Sequence, residues 1–248
     1  MPSDVPTHNQ IIPAENLQTQ KWLNSIQKWT KEQKMVINSK KTKAMVFNFS
    51  TNQFTTRLKL NDEDIEIIEH TKLLGTQIEN DLKWDLNTKS LVKKANMRMQ
   101  LLKKAASFGA SKEDLKDIYV LFIRSILEQS AVVWSSSLTC ENKNDLERVQ
   151  KSALRIILGN EFKNYSSALN RLNLLTLEER REQLCLSFAK KCTKNDKMKH
   201  MFPLNEHKHS MKTRHKEKYK VYKAKTERLK KSAVIHMQHL LNSENDKN

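Results

Sequence analysis

Three groups of residues in this chain carry side chains and spacings that could do chemistry. The first is Asn38-Ser-Lys-Lys-Thr42, a polar insert between the apolar runs Met35–Ile37 and Met45–Phe47. A lysine held at such a point could protonate a leaving group or stabilise developing negative charge. In an ordinary turn, by contrast, Lys41 is a solvated cation and Asn38 caps or bridges the turn through its side chain. The second group is Asp62-Glu63-Asp64, the densest acidic cluster in the chain. Its oxygens would suit a hard divalent cation, but its place at the tip of a hairpin predicts an exposed turn. The third is Cys185 and Cys192, seven residues apart on one helix face, followed by His200, His207, His209 and His215. Without a C-x-x-C start the zinc reading is poor, and Cys185 is expected to face a core. None of these groups predicts a bound metal or an organic cofactor.

Cations supply a different kind of site. Arg148, Lys151 and Arg155 recur at spacings of three and four, opposite Leu146, Val149, Ala153 and Ile156. Such a row on a rigid rod can contact phosphates, and it serves equally as a solvated face. Arg180 and Arg181 fall just inside a helix start, where a positive charge opposes the local dipole, so an acidic partner or a phosphate is expected to compensate them.

The balance of the whole chain agrees with a polyanionic partner. Its 248 residues hold 45 Lys+Arg against 28 Asp+Glu, a net charge of +17. Each phosphate neutralised by such a surface releases condensed counterions and adds salt-sensitive affinity. The excess is concentrated between Lys190 and Lys231, where 16 basic residues meet 4 acidic ones. This stretch contains Pro203 and few branched apolar residues, so 196–248 is expected to be a basic tail, flexible or marginally helical. Three cysteines and no C-x-x-C argue against a disulfide framework. With no basic-then-apolar start and no run near the length of a membrane span, the expected setting is intracellular, in nucleus or cytoplasm, without a membrane partner.

The elements that must position these residues can be outlined. Prolines occur only at 2, 6, 13 and 203, and the three glycines are Gly75, Gly109 and Gly159. So few breakers predict a helix-rich body. A first helix is expected over Ala14–Lys31 with Trp22, Leu23, Ile26 and Trp29 on one face. Short strands follow at Met35–Ile37, Ala44–Phe49, Arg57–Leu60, Ile65–Ile68 and Lys72–Ile78, giving a small antiparallel section. Beyond Trp84 the period becomes helical. Leu91, Ala95, Met99, Leu102 and Ala106 form one stripe that ends at Gly109. Ser111 then caps a helix running to about Val133, with Leu115, Ile118, Phe122 and Ile126 buried and Trp134 in the core. Asn142–Leu158 is the next helix, and Thr176-Leu-Glu-Glu179 has capping-box spacing at the start of another. The predicted fold class is α+β, mostly helical: residues 1–16 disordered, 17–84 with a small sheet, 85–195 helical, and 196–248 the basic tail.

The order of landmarks is more specific than any one of them. Trp29 is followed by Asn38-Ser-Lys-Lys-Thr42, Met45-Val-Phe47, Lys72-Leu-Leu-Gly75 and Leu82-Lys-Trp84. Further on come Tyr119, Arg124-Ser-Ile-Leu-Glu128, Val133-Trp134, Leu146-Glu-Arg-Val-Gln-Lys151, Ala153-Leu-Arg-Ile-Ile157 and Thr176-Leu-Glu-Glu-Arg-Arg181. This series closely resembles the downstream half of reverse transcriptases from non-LTR retrotransposons of animals, the jockey- and RTE-like group, over about Leu17 to Ala189. The resemblance implies that 17–84 is the end of a palm and 85–195 a thumb-like helical bundle. It makes Asn38, Lys41 and Thr42 a vestige of a polymerase motif, and Lys72, Leu74 and Gly75 a primer-grip-like hairpin. Gly75 would let backbone approach a phosphate there, or simply close a tight turn.

Two-metal nucleotidyl transfer needs paired carboxylates, which the family takes from an aromatic-x-Asp-Asp hairpin. This chain has no Asp-Asp dipeptide. The resemblance therefore implies a truncated RNA-directed DNA polymerase without catalysis of its own, with Mg²⁺ expected only in a full-length enzyme. Its expected residual role is non-specific binding of RNA or RNA–DNA duplex, with Arg148, Lys151, Arg155, Arg180 and Arg181 as the contacting cations. The rival readings are a section of a longer or split active polymerase and a domesticated helical protein-interaction module.

Overall fold

The computed structural model describes residues 10–12, 18–47, 49, 54–205 and 218–245. The fold is α+β and mostly helical, and the chain divides into two compact units, Met1–Leu82 and Lys83–Asn248.

In the first unit the order is β1 (Gln10–Ile12), α1 (Gln18–Glu32), β2 (Lys43–Ala44), β3 (Phe54–Thr56), β4 (Lys59–Leu60), β5 (Glu63–Asp64), β6 (Glu66–Ile67), β7 (His70–Leu73) and β8 (Thr76–Glu79). Among the described residues the strands pair two by two. β4–β5 and β7–β8 are antiparallel hairpins, whereas β1–β3 and β2–β6 are parallel. The tip residues of both hairpins have left-handed backbone, Asn61 and Asp62 in one and Leu74 and Gly75 in the other. That geometry matches the twist of a two-residue hairpin turn. Met35–Ile37 forms no strand. Gln10–Ile12 lies within the segment whose composition suggested disorder, and its pairing with β3 corrects that expectation for these three residues.

The expected apolar face of α1 is turned largely to solvent. Trp22 is 62% exposed and Trp29 53%, and Ile26 is exposed beside them. Strands of two to four residues present no sheet face broad enough to cover two indole rings. Leu23 alone reaches the small core of Leu58, Leu60 and Ile65, joined by Ile37 and Ala44. The helix is held instead by a polar clamp. Gln20 Nε2 donates to the Lys59 carbonyl at 2.9 Å, and its Oε1 accepts from the Lys59 amide at 2.9 Å.

The second unit contains α2 (Asp85–Ser107), α3 (Lys112–Ile118), a wide π turn over Tyr119–Arg124, α4 (Ser125–Leu127), α5 (Ala131–Trp134), α6 (Cys140–Leu158), α7 (Tyr165–Leu172), α8 (Leu177–Thr193), α9 (Glu227–Lys230) and α10 (Ala233–Asn245). Helix starts are marked by side chains: Ser111, Thr139, Asn164 and Thr176 each accept a backbone N–H of the first turn. Gly109 follows α2 with φ 76°, and the Ala110 amide reaches back to the Ala105 carbonyl, closing the helix end.

The π turn changes which residues are buried. A regular helix would place Leu115, Ile118, Phe122 and Ile126 inward. The buried set is Leu115, Tyr119, Ile123 and Leu127, at a constant spacing of four, while Phe122 is exposed. Widened i→i+5 turns take more than 3.6 residues each, so the apolar stripe drifts one position along the chain. The expected helix to Val133 is also interrupted at Ser130, whose φ is 55°.

The tail differs from a flexible arm in its last described part. α10 packs on α8 through Met237 and Leu241, against Cys185, Ala189, Cys192 and Phe202. The charge-rich composition of 196–231 hid the apolar residues of 233–241 behind it. No single helix among the described residues is long and apolar enough to cross a membrane. The pair Lys112–Leu127 and Ala131–Ser137, bent by 43°, passes on length and composition together, and its apolar residues Tyr119, Ile123, Leu127 and Trp134 are buried in the helical unit.

Candidate nucleic-acid interface

Asn38 caps a short 3₁₀ turn, Ser39–Lys41. Its side chain accepts from the Lys41 amide at 3.1 Å, and the Thr42 hydroxyl donates to the Asn38 carbonyl at 2.9 Å. Lys41 is exposed. The turn is complete without a ligand, and the polar residues of the motif satisfy one another. Asp62, Glu63 and Asp64 are exposed around the β4–β5 turn, and no cluster of His, Cys, Asp or Glu among the described residues could hold a metal ion. Cys185 and Cys192 are buried thiols, and burial pushes both above the usual value. His207, His209 and His215 lie outside the described residues.

Lys72 is exposed on β7, and Leu74 and Gly75 form the tip of its hairpin. Leu74 is 91% exposed at φ 48°, a backbone region costly for a branched side chain. The backbone at the tip is thus open to approach.

On α6, Leu146, Val149, Gln150, Ala153, Leu154 and Ile157 are buried, which leaves Arg148 and Arg155 on the exposed side and Lys151 half-buried. Arg148 is paired with Asp145 at 2.6 Å, and Arg155 stacks over the Phe162 ring at 5.3 Å. Of the three, Lys151 and Arg155 have no carboxylate partner among the described residues.

Arg180 and Arg181 do not belong to this row. Arg180 points to Glu128, with Nε 3.1 Å from the carboxylate, and Arg124 meets the same carboxylate at 3.4 Å. The acidic partner expected near the helix start is therefore Glu128. Arg181 is only 2% exposed, so it cannot line a duplex, which corrects the expectation that it contacts one. Burial lowers its pKa, against the pull of Glu147, Glu178 and Glu128.

A denser cationic surface lies on α2. This helix carries Lys89, Lys93, Lys94, Arg98, Lys103 and Lys104 against the single acid Asp85. Leu91, Ala95, Met99 and Leu102 face inward, and all six cations except the half-buried Lys94 are exposed. None has an ion-pair partner among the described residues. Other cations of the unit do: Lys112 and Arg171 share Glu161, Lys143 meets Glu178, and Lys190 meets Glu244. A 23-residue helix spans about 34 Å, long enough to follow a backbone over several phosphates. The signal was present in the sequence as the solvent side of the Leu91–Ala106 stripe.

Behind α6 the helices are tied by a buried polar chain. The Tyr119 hydroxyl donates to Gln150 Oε1, and Gln150 Nε2 donates to Tyr165 Oη at 2.8 Å and to the Leu175 carbonyl at 2.9 Å. Tyr165 in turn donates to Glu147, whose other oxygen accepts from the Glu178 amide at 3.0 Å. Burial raises the pKa of both tyrosines, so they stay neutral donors. The chain fixes the rotation of α6, and hence which side of it carries Arg148 and Arg155. Comparison with known protein families, with characterised proteins and with solved structures gives no match to this chain.

Proposed function

We propose that the helical unit binds nucleic-acid backbone, RNA or RNA–DNA duplex, without sequence preference, and that the chain is a retrotransposon-derived remnant of a reverse transcriptase that performs no templated synthesis by itself. The observation that carries the binding reading is the run of six cations on α2 with no ion-pair partner among the described residues. Like charges gathered on one rod repel one another, and a polyanion relieves that repulsion while releasing counterions. The absence of catalysis rests on the sequence, which has no Asp-Asp pair to hold two metal ions.

The test is a duplex-binding titration paired with a primer-extension assay on the purified chain. Binding to a labelled RNA–DNA duplex with no dependence on its sequence, together with no extension, supports the reading. Nucleotide incorporation, or no duplex binding at low salt, overturns it.

One observation favours a second reading for the first unit, as a section of a longer polymerase. The exposed face of Trp22, Ile26 and Trp29 has the composition of a surface made to be covered. An in-frame aromatic-x-Asp-Asp in the coding DNA upstream of Met1 would favour this alternative, and its absence would leave the remnant reading in place.

A further inference from the structure

Trp22 and Trp29 lie on one side of α1 with Ile26 between them, and all three are more than half exposed. The other two tryptophans of the chain, Trp84 and Trp134, are buried. The exposed pair is held in place. Gln20 locked to the Lys59 backbone, Leu23 in the small core and the buried Thr30 fix the rotation of the helix, and so they fix the indoles outward. Seven residues of helix set the two rings about 10 Å apart along the axis.

The charge around this face restricts what can cover it. Lys21, Lys28 and Lys31 on α1 and Lys34 just after it are exposed, against the single acid Glu32. None of the four lysines has an ion-pair partner among the described residues. Lys21 and Lys28 each precede an indole by one residue, which puts a cation beside each ring, about 100° around the helix. A second copy of the chain would bring two such lysine sets together, and their repulsion disfavours it. An apolar polypeptide surface would cover the rings and leave the lysines unanswered. Nucleic acid answers both, because bases stack on aromatic rings while phosphates meet the cations. Bases inside a duplex have no free face, and stacked bases follow one another at about 3.4 Å. Rings about 10 Å apart therefore take bases splayed from an unpaired strand, with Ile26 forming the floor between them.

We propose that the Trp22–Ile26–Trp29 face of α1 binds single-stranded nucleic acid, stacking one base on each indole and holding the intervening phosphates with Lys21 and Lys28. The site differs from the cations of α2 in the form of nucleic acid it takes and in reading it by stacking. It does not rest on duplex binding by α2.

Intrinsic fluorescence of the full chain tests this, because the two exposed indoles report contact and the buried pair is shielded. Titration at low salt with an oligo(dT) of about 16 nucleotides is expected to give saturable quenching that salt reverses. Trp22→Ala and Trp29→Ala are each expected to weaken binding of the labelled oligonucleotide about tenfold, and Trp22→Phe, which keeps a ring, is expected to recover most of that loss. Changing Lys21 and Lys28 together to glutamine is expected to make the salt slope shallower by about 1.4, at about 0.7 per phosphate contact on a single strand. Replacing Lys89, Lys93 and Lys104 on α2 with glutamine is expected to leave the quenching in place while weakening duplex binding, so failure of one site can be told from failure of the other. The proposal is overturned if the wild-type chain shows no saturable quenching, or if the variant lacking both indoles binds the oligonucleotide like the wild type. It is overturned equally if phosphatidylserine vesicles quench the indoles and the oligonucleotide does not, which assigns the face to a lipid surface. A shift of emission with chain concentration alone would assign it to a second copy and overturn it as well.

Discussion

Gln150 is fully buried on α6 with its side-chain amide saturated, and the Tyr119 hydroxyl of the π turn is one of its three partners. The contact joins the segment whose helical phase is unusual to the helix whose outer side carries Arg148 and Arg155. Truncating Gln150 would strand the Tyr119 hydroxyl and the Leu175 carbonyl, while Tyr165 keeps its bond to Glu147. Gln150→Ala is expected to destabilise the helical unit by about 2–4 kcal/mol, since each orphaned buried group costs about 1–3 kcal/mol and a cavity adds to it. Tyr119→Phe, which leaves one amide oxygen unpaired, is expected to cost less. Urea unfolding of the two variants gives the comparison, and equal losses would contradict this ordering.

The first unit depends on a polar clamp where an apolar one was expected. Gln20 pairs with both backbone groups of Lys59. Gln20→Ala is expected to lower the stability of this unit by about 1–2 kcal/mol and to speed exchange of the Lys59 amide. Trp22→Ser is expected to change stability by less than Gln20→Ala, because the indole is exposed. Hydrogen exchange followed by mass spectrometry measures both effects.

The capping box at the start of α8 makes stability depend on pH. The Glu179 carboxylate accepts from the Thr176 hydroxyl at 2.8 Å and from its amide at 3.0 Å. These bonds, the hydroxyl first, hold its pKa below the usual carboxylate value. A carboxylate depressed in the folded state stabilises it above the unfolded pKa, and that contribution fades as pH falls through the folded one. The stability gap between the wild-type chain and Glu179→Gln is therefore expected to be full at neutral pH and to close in acid. Thermal unfolding measured from neutral to acid pH reads it directly.

Much of the fold could be read from local signals. Ser111, Thr176 and Gly109 marked helix ends because caps are short-range chemistry, and Leu91, Ala95, Met99 and Leu102 marked a buried side because a regular helix keeps its period. Phe122 was misplaced because a π turn changes that period without any residue that announces it. Trp22 and Trp29 were misjudged for another reason: apolar character shows which face wants cover, and only the surrounding strands decide whether cover exists. In the candidate site, Arg148 and Arg155 fall on the exposed side as their spacing implied. Arg181 was indistinguishable in sequence from Arg180, although one is buried and the other is paired with Glu128. The cations of α2 were visible throughout, but their lack of acidic partners depends on contacts across the fold.

The central claim is that unpaired cations on α2 hold a phosphate backbone. Its most direct measurement is the affinity for an RNA–DNA duplex across a salt series, for the wild-type chain and for one variant with Lys89, Lys93 and Lys104 changed to glutamine. The expected result is a steep linear fall of log affinity with log salt, and a slope shallower by about 2–3 in the variant, at about 0.9 per phosphate contact. An affinity indifferent to salt, or a variant slope equal to that of the wild type, would contradict the account.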